Sequence, residues 1–207
     1  MIKNVIFDWS GVVKDCVEEH LVIINKIFTH FGAKEISMEE LKVEWCQPYM
    51  SFYKKYIPSV TEKEQSVVYK KAISESPKAK PYSHIAELIK KVKKSGKKVF
   101  IVSSDDSETI LPEIKSFGLE AVFDDVVFGV EDKEQEVRQI VTNNSLNKND
   151  TIFIGDSNHE IEVGKKVGIK TVAVTWGFSL ENKLKSYNPD FLVHNLEELE
   201  KVILCPE

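Results

Sequence analysis

The fold prediction begins from one segment near the N-terminus, Val5-Ile6-Phe7-Asp8-Trp9-Ser10-Gly11-Val12-Val13. Its first three residues are bulky and apolar, and no polar residue alternates with them. Such a run is typical of a short strand that is buried on both faces in a parallel sheet. Asp8 follows at once and Gly11 marks a turn, so the segment predicts a central strand that ends in a carboxylate.

Similar apolar runs recur along the chain at 99–102, 126–128, 151–154 and 171–174, with a possible short sixth at 191–193. Between these runs, apolar residues recur at helical spacing in 85–92, 110–117, 137–141 and 161–167. Strand and helix patterns that alternate in this way predict an α/β fold with a Rossmann-like parallel sheet. We expect the strand order 3-2-1-4-5, which places the first strand and Asp8 at the centre.

One segment interrupts the alternation, because residues 15–80 contain no clear strand. Its first part has apolar residues at steps of three and four, as on one face of a helix, at Val17, Leu21, Ile24, Phe28 and Phe31. The segments 37–40 and 61–64 match the capping-box pattern that begins a helix. We therefore predict an α/β core formed by residues 1–14 and 81–207, with an all-helical insertion of about four helices at 15–80.

Composition excludes several classes of protein. With 28 basic and 33 acidic residues the net charge is −5, which argues against a nucleic-acid binder. No apolar run approaches the roughly 20 residues of a membrane span. No signal segment is recognised, and the three cysteines form no metal or disulfide pattern. The expected protein is cytoplasmic, with no membrane and no nucleic-acid partner, while the oligomeric state stays open.

Four polar residues follow four of the predicted strands, in the order acid, hydroxyl, lysine, acid: Asp8, Ser103, Lys133 and Asp156. Taken singly, each of these residues has an ordinary structural interpretation, as a helix cap, a turn residue or a solvated lysine. Ligand sites in open parallel sheets form at the carboxyl ends of the strands, so the joint pattern predicts one site.

These four motifs and the helical insertion after the first one resemble the haloacid dehalogenase-like hydrolase superfamily. The insertion, together with the segments 175–178 and 195–199, is similar to the phosphoglycolate-phosphatase-like branch, which has a four-helix cap domain. The resemblance implies that residues 15–80 form the cap. It also implies hydrolysis of a small phosphorylated metabolite through an aspartyl-phosphate.

The same resemblance assigns a nucleophile and a metal. Asp8 would attack phosphorus, which splits one difficult displacement into two easier ones. Mg²⁺ would bind the carboxylates of Asp8 and Asp156 and the backbone carbonyl of Ser10, and these hard oxygen ligands suit that ion. Glu160, where the family usually has Asp, would be a direct or outer ligand.

The phosphate-binding residues follow from the resemblance as well. Lys133 would neutralise charge on the nucleophile and on the phosphoryl group, which is the main task of phosphoryl-transfer sites. The remaining predicted phosphate contacts are hydroxyl and backbone N–H groups at Trp9, Ser10, Ser103 and Ser104.

Ser10 departs from the family pattern, which usually has a second Asp that protonates the leaving group and activates water. A serine hydroxyl is a poor acid and base, and loss of such a group costs about 10²–10⁴-fold in rate. We therefore expect slow turnover. Asp105 and His159 are formal replacements, but we interpret both as ordinary polar residues, with His159 at the start of a helix and facing solvent.

Alternative functions are weighed on the same residues. A dehalogenase is disfavoured, because Asp156 is present and no arginine precedes Arg138 to bind a substrate carboxylate. A catalytically quiet phosphate- or partner-binding protein is favoured by Ser10 and disfavoured by the joint retention of Asp8, Lys133 and Asp156. A phosphonatase would need a cap lysine, and nothing selects among the candidates Lys26, Lys54 and Lys55.

An aromatic stripe lies within the predicted cap, at Tyr49, Phe52, Tyr53 and Tyr56. We predict that these rings form the core of the cap. The alternative is that one or two of them line the substrate entrance.

Overall fold

The computed structural model describes residues 1–130 and 132–205. In that part of the chain the strands are β1 (Asn4–Phe7), β2 (Lys14–Asp15), β3 (Lys80–Pro81), β4 (Lys98–Val102), β5 (Asp125–Val127), β6 (Thr151–Gly155), β7 (Lys170–Val174) and β8 (Phe191–Val193). Six of them form one sheet in the order β5-β4-β1-β6-β7-β8, and every neighbouring pair is parallel. The predicted α/β class and the order of the first five main strands are confirmed, and the sixth lies beyond the fifth.

The described helices are α1 (Val17–His30), α2 (Met38–Glu44), α3 (Tyr49–Tyr56), α4 (Glu62–Ser74), α5 (Ile85–Lys94), α6 (Ser107–Ser116), α7 (Lys133–Asn143), α8 (Asn158–Val167), α9 (Glu181–Ser186) and α10 (Leu196–Leu204). A short 3-10 helix spans Lys148–Asp150. Among the helices described, none combines the length and the apolar character that a membrane crossing requires.

Strand β1 lies at the centre of the sheet, and its burial on both faces explains its uninterrupted apolar sequence. Val5 and Phe7 pack in one apolar cluster with residues of α5, α6 and α10. Ile6 faces the opposite side, where it packs with Val137 of α7 and Val163 of α8. The strand is thus held between two helical layers, which fixes the position of the residue that follows it.

Helices α1–α4 follow one another between β2 and β3 and share a separate apolar cluster. Phe28 of α1 stacks on Phe52 of α3, with ring centroids 5.9 Å apart. Helix α4 begins with a complete capping box between Thr61 and Glu64. At the start of α2 the Ser37 side chain accepts a hydrogen bond from the Glu40 backbone N–H. Both capping signals in the sequence therefore mark real helix starts.

The short antiparallel pair β2–β3 joins this helical segment to the sheet. Lys14 pairs with Pro81, and the Tyr82 backbone N–H donates to the Val13 carbonyl at 3.0 Å. The chain therefore leaves and re-enters the α/β layers at one place. Strands of two residues are too short to show periodicity, which is why the sequence did not predict them.

Gly164 in α8 provides a test of the contact between α8 and β7. In an ordinary helix interior, Gly→Ala stabilises by about 1 kcal/mol. Here an added Cβ would lie 2.3 Å from Thr171 Cγ2. We expect Gly164→Ala to lower the free energy of unfolding by about 1–3 kcal/mol, because the contact is overpacked.

Urea denaturation measures this change. The matched control is Gly164→Ala combined with Thr171→Ser, which removes Cγ2 but keeps the Thr171 hydroxyl position that donates to Asp190 at 2.9 Å. The double variant should regain most of the lost stability. A gain in stability for the single variant would contradict the packing described.

Candidate active site

The carboxyl-terminal edge of the sheet brings the predicted site residues together. Asp8 directly follows β1, Ser103 follows β4, Asp156 follows β6, and Lys133 is the first residue of α7. They lie at one end of a cavity of about 310 Å³ between the sheet edge and helices α1–α4. Of the residues predicted for the site, those that line the cavity are Asp8, Ser10, Ser103, Ser104, Lys133, Asp156 and Glu160.

Lys133 is the central cation of the site. Its Nζ lies 2.8 Å from Asp8 Oδ1 and 2.8 Å from Glu160 Oε1, and all three side chains are buried. Burial by itself lowers the pKa of Lys133, but the charges of Asp8 and Glu160 outweigh it and hold that pKa above its usual value. The ammonium group therefore stays charged and fixes two carboxylates at once.

The carboxylates outnumber this cation. Asp8, Asp156 and Glu160 each place one carboxylate oxygen within 4.8 Å of the others. Burial, and then the charges of Asp8 and Glu160, raise the pKa of Asp156 well above its ordinary value. Burial likewise raises the pKa of Asp8, against the attraction of Lys133. Three buried acids beside one lysine leave an excess of negative charge, which is costly without a further cation.

This donor set fits a magnesium ion. Three buried carboxylates that converge within a few ångströms are the hard oxygen ligands that Mg²⁺ takes, and a divalent ion would balance the excess negative charge. The residues that would hold it are Asp8, Asp156 and Glu160, with the Ser10 carbonyl predicted from the sequence.

Two glycines leave the space that Asp156 occupies. A Cβ at Gly11 would lie 2.3 Å from Asp156 Oδ2, and one at Gly177 would lie 2.1 Å from the same atom. Gly11 also has φ +83°, a conformation that side chains rarely adopt. The Phe178 backbone N–H donates to Asp156 Oδ2 at 2.6 Å. The carboxylate is thus closely surrounded and its orientation is set by the backbone.

Glu160 is fixed by the start of α8. Its Oε2 accepts from the Ser157 hydroxyl at 2.6 Å and from the Ser157 backbone N–H at 3.2 Å, which completes a capping box. A Cβ at Gly155 would lie 2.2 Å from Glu160 Cβ. The sequence Ser157 to Glu160 carries the capping-box spacing, a signal that the sequence analysis applied elsewhere but missed here.

Ser10 belongs to a polar network that the sequence analysis did not find. Its hydroxyl donates to Asp105 Oδ2 at 2.8 Å. Lys14 Nζ lies 3.7 Å from the same Asp105 oxygen and 2.8 Å from Glu113. The Trp9 indole N–H donates to Glu113 at 2.7 Å. No local signal in the sequence marks this network beyond Lys14 close to the first motif, because Asp105 and Glu113 are remote in the sequence.

The residues predicted to contact phosphate differ in their burial and in their hydrogen-bond partners. Ser103 is buried, and its hydroxyl accepts from the Asp105 backbone N–H at 3.1 Å. Ser104 Oγ has no hydrogen-bond partner among the described residues. The Trp9 backbone N–H donates to Asp8 Oδ1 at 2.7 Å, and so orients the carboxylate. The indole ring of Trp9 lies in the apolar core.

The prediction that His159 faces solvent is wrong. His159 does lie in the first turn of α8, but its side chain is only 13% exposed. Its Nε2 accepts a hydrogen bond from the Lys133 backbone N–H at 3.3 Å. Burial lowers its pKa, so a neutral ring is favoured in this position. His159 thus connects α8 to the first residue of α7.

The side of the cavity away from the sheet is formed largely by helices α1–α4. Tyr49 and Tyr53 of the predicted aromatic stripe line it, while Phe52 packs in the core of the helical segment. The prediction that the stripe forms part of the core of the helical segment is confirmed, and two of its rings also line the cavity. The lysines considered for a phosphonatase do not line the cavity, and Lys26 and Lys55 instead pair with Glu75 and Glu44.

Comparison with known proteins agrees with this architecture. The family model for haloacid dehalogenase-like hydrolases matches residues 5–174. The pyrophosphatase PpaX of Bacillus mycoides is 24% identical over 98% of this chain and 97% of its own length. The PpaX of Halalkalibacterium halodurans is 28% identical over 59% of this chain, and that match spans 60% of the relative.

Solved structures share the fold. A predicted phosphatase from Clostridium acetobutylicum superposes with a TM-score of 0.86, at 21% identity and with 99% of each chain covered. A haloacid dehalogenase-like family hydrolase from Streptococcus pneumoniae gives a TM-score of 0.79 at 20% identity, covering 97% of this chain and 98% of that one. Together with the family match over most of its length, the four strand-end motifs establish that this chain belongs to the haloacid dehalogenase-like hydrolases.

Proposed function

We propose that the protein is a Mg²⁺-dependent phosphatase of a small phosphorylated metabolite and that it works through an aspartyl-phosphate on Asp8. The observation that carries the proposal is the position of Lys133 Nζ, 2.8 Å from both Asp8 and Glu160, beside Asp156 at the end of a cavity. The phosphatase and pyrophosphatase names of the similar proteins agree with this reaction class.

Asp8 is arranged for nucleophilic attack. Its Oδ1 accepts hydrogen bonds from Lys133 and from the Trp9 backbone N–H. Among the described residues its Oδ2 accepts none, so this oxygen is available to the substrate. Attack would form a bond between Asp8 and phosphorus and break the bond to the leaving oxygen, which then takes a proton. Water would next attack phosphorus, lose a proton and release Asp8.

The main barrier to this chemistry is the repulsion between the Asp8 carboxylate and the phosphate anion. Lys133 and the metal site would both lower it. Mg²⁺, when bound, would supply positive charge that offsets this repulsion. Lys133 supplies a further charge at Asp8, and its burial makes that charge more effective than in water. Ser103 and Ser104 would hold phosphate oxygens, and the hydroxyl of Ser104 has no competing partner among the described residues.

The helical segment 15–80 is proposed as a cap over this site, with residues 1–14 and 81–207 as the catalytic core. The two connections between them lie side by side at β2 and β3. A movement about this pair would admit substrate and then exclude water. The proposal keeps the cytoplasmic location that the sequence analysis expects.

The serine at position 10 is the reason to propose that turnover is slow. It also makes a protein that binds phosphate without turnover the second candidate. The leaving oxygen needs a proton and the attacking water must lose one. The residue at this position is a hydroxyl that donates to Asp105, and a hydroxyl exchanges protons poorly near neutral pH. The retained contact between Lys133 and Asp8 favours the enzyme, because a protein that only binds has no need of a nucleophile.

Asp8→Asn tests the nucleophile. We expect it to lower the Mg²⁺-dependent hydrolysis of p-nitrophenyl phosphate by at least about 10³-fold, because an amide cannot replace the attacking carboxylate. Asp125→Asn removes an exposed carboxylate at the start of β5, outside the cavity lining, and should leave the rate close to that of the native protein. Release of p-nitrophenolate measures the rate, and chelation of Mg²⁺ should abolish it. Equal rates for native protein and Asp8→Asn would sink the enzyme proposal.

A second prediction concerns the residue at position 10. Ser10→Asp alone would place a new carboxylate beside Asp105, which now accepts the Ser10 hydroxyl at 2.8 Å. We therefore expect the double variant Ser10→Asp with Asp105→Asn to have a kcat about 10²-fold higher than that of the native protein, because it combines a proton-transfer group with a neutral neighbour.

The single variants Ser10→Asp and Asp105→Asn are the controls, measured by steady-state and single-turnover phosphate release. The first should gain less than the double variant, and the second should not gain. If the double variant is no faster than the native protein, the hydroxyl of Ser10 does not limit turnover.

A further inference from the structure

One part of the cavity wall is a cluster of aromatic rings, which we call the aromatic chamber. The rings of Trp45 and Phe178 stack with their centroids 5.0 Å apart and at 26°. His20 meets both edge-on, at 5.1 Å and 5.2 Å. Gln47 and Tyr69 complete the wall. A leaving group in this chamber would lie against flat apolar surfaces.

Each lysine among the lining residues that the structure describes lies beside a carboxylate. Lys133 is held by Asp8 and Glu160 at the phosphoryl end. The other lining lysine, Lys70, is 61% exposed and lies 4.0 Å from Asp106. A second anionic group on the substrate would therefore find each lining ammonium group already beside a carboxylate.

Histidine and arginine do not change this balance. Burial lowers the pKa of His20 to about 4, so its ring is neutral at physiological pH. Arg138 is the single arginine of the chain, and it pairs with Glu134 on α7 rather than lining the cavity. The usual bidentate clamp for a carboxylate or a second phosphate is thus absent from the described cavity wall.

Two of the residues that line the cavity carry a neutral polar atom that has no partner among the described residues. His20 Nε2 and Gln47 Oε1 are shielded from solvent, and neither has a hydrogen-bond partner among the described residues. Polar atoms that are buried without a partner are rare, and an incoming group that satisfies them is favoured. A neutral imidazole and an amide oxygen are suited to hydroxyl groups, which both donate and accept.

The size of the cavity limits the leaving group. Its volume of about 310 Å³ must hold the phosphoryl group as well. This is at the lower end of the roughly 300–1,000 Å³ of small-molecule sites, which favours small leaving groups.

We propose that the aromatic chamber of the cavity selects phosphate monoesters with a small, electrically neutral, hydroxylated leaving group, that is, a polyol or a single-ring sugar. This inference rests on the proposed phosphatase function and adds the substrate class. Substrates with a second anionic group are selected against. Pyrophosphate is therefore expected to be a poor substrate here, although the relatives in Bacillus mycoides and Halalkalibacterium halodurans are named pyrophosphatases.

A matched pair of esters tests the charge preference. 2-Hydroxyethyl phosphate and 2-phosphoglycolate have the same carbon skeleton and differ in a hydroxyl against a carboxylate. We expect kcat/KM for 2-hydroxyethyl phosphate to exceed that for 2-phosphoglycolate and for pyrophosphate by about tenfold or more. If kcat/KM for 2-phosphoglycolate or for pyrophosphate equals or exceeds that for 2-hydroxyethyl phosphate, the inference is overturned.

A change of charge in the chamber tests the location of this preference. Gln47→Lys places a new cation where the neutral amide now lies, and it should shift the ratio of the two kcat/KM values at least tenfold toward 2-phosphoglycolate. Gln135→Lys makes the same change on the exposed surface of α7 and should leave the ratio unchanged. An unchanged ratio in Gln47→Lys would place the selectivity elsewhere and so overturn the inference.

Binding to the Asp8→Asn variant separates this inference from the proposed function. Calorimetry in the presence of Mg²⁺ gives the affinities of the two esters without turnover. Tighter binding of 2-hydroxyethyl phosphate supports the inference even if no phosphatase activity is found, in which case the proposed function alone fails. Equal or tighter binding of 2-phosphoglycolate overturns the inference even in an active phosphatase.

Discussion

The site depends on one buried ammonium group that holds two carboxylates. Lys133 Nζ reaches Asp8 at the end of β1 and Glu160 in the first turn of α8, so it ties together three separate elements of the fold. Removing one partner of such a buried group typically costs about 3–5 kcal/mol, because the remaining charge is left uncompensated. The structure surrounds this contact with the helical layers on both faces of β1, which keep water away and strengthen the attraction.

Much of this arrangement follows from the sequence. The apolar runs identify strands that are buried on both faces, and the motif order places Ser103, Asp8 and Asp156 directly after the three neighbouring strands β4, β1 and β6. The position of a polar residue directly after a buried run is therefore strongly informative. The capping signals at Ser37 and Thr61 also mark helix starts, because a cap depends on residues close in sequence.

Contacts between remote residues were not predictable in the same way. The bond from Ser10 to Asp105 and the pairing of Lys14 with Glu113 join parts of the chain about a hundred residues apart, and no local pattern encodes them. His159 was misassigned to solvent because a helix start is usually exposed, whereas here the neighbouring α7 covers it. The antiparallel pair β2–β3 is too short to produce a pattern.

The same residues explain how this chain differs from the usual pattern of its family. Where a second acid is common, the Ser10 hydroxyl donates to Asp105, and Lys14 and Glu113 extend that network toward the junction with the helical segment. The cavity wall also combines aromatic rings with neutral polar atoms. The cavity of this chain therefore joins a charged group of residues around Lys133 to a wall of aromatic and neutral polar side chains.

The most direct test of the account is to identify the residue that carries the phosphoryl group. Native protein, incubated with Mg²⁺ and p-nitrophenyl phosphate and then quenched in acid, can be treated with borohydride, which reduces an aspartyl-phosphate to homoserine. Mass spectrometry of the N-terminal peptides should then find homoserine at position 8. Reduction at another carboxylate, or phosphate release with no reduced residue at any time point, would contradict the account.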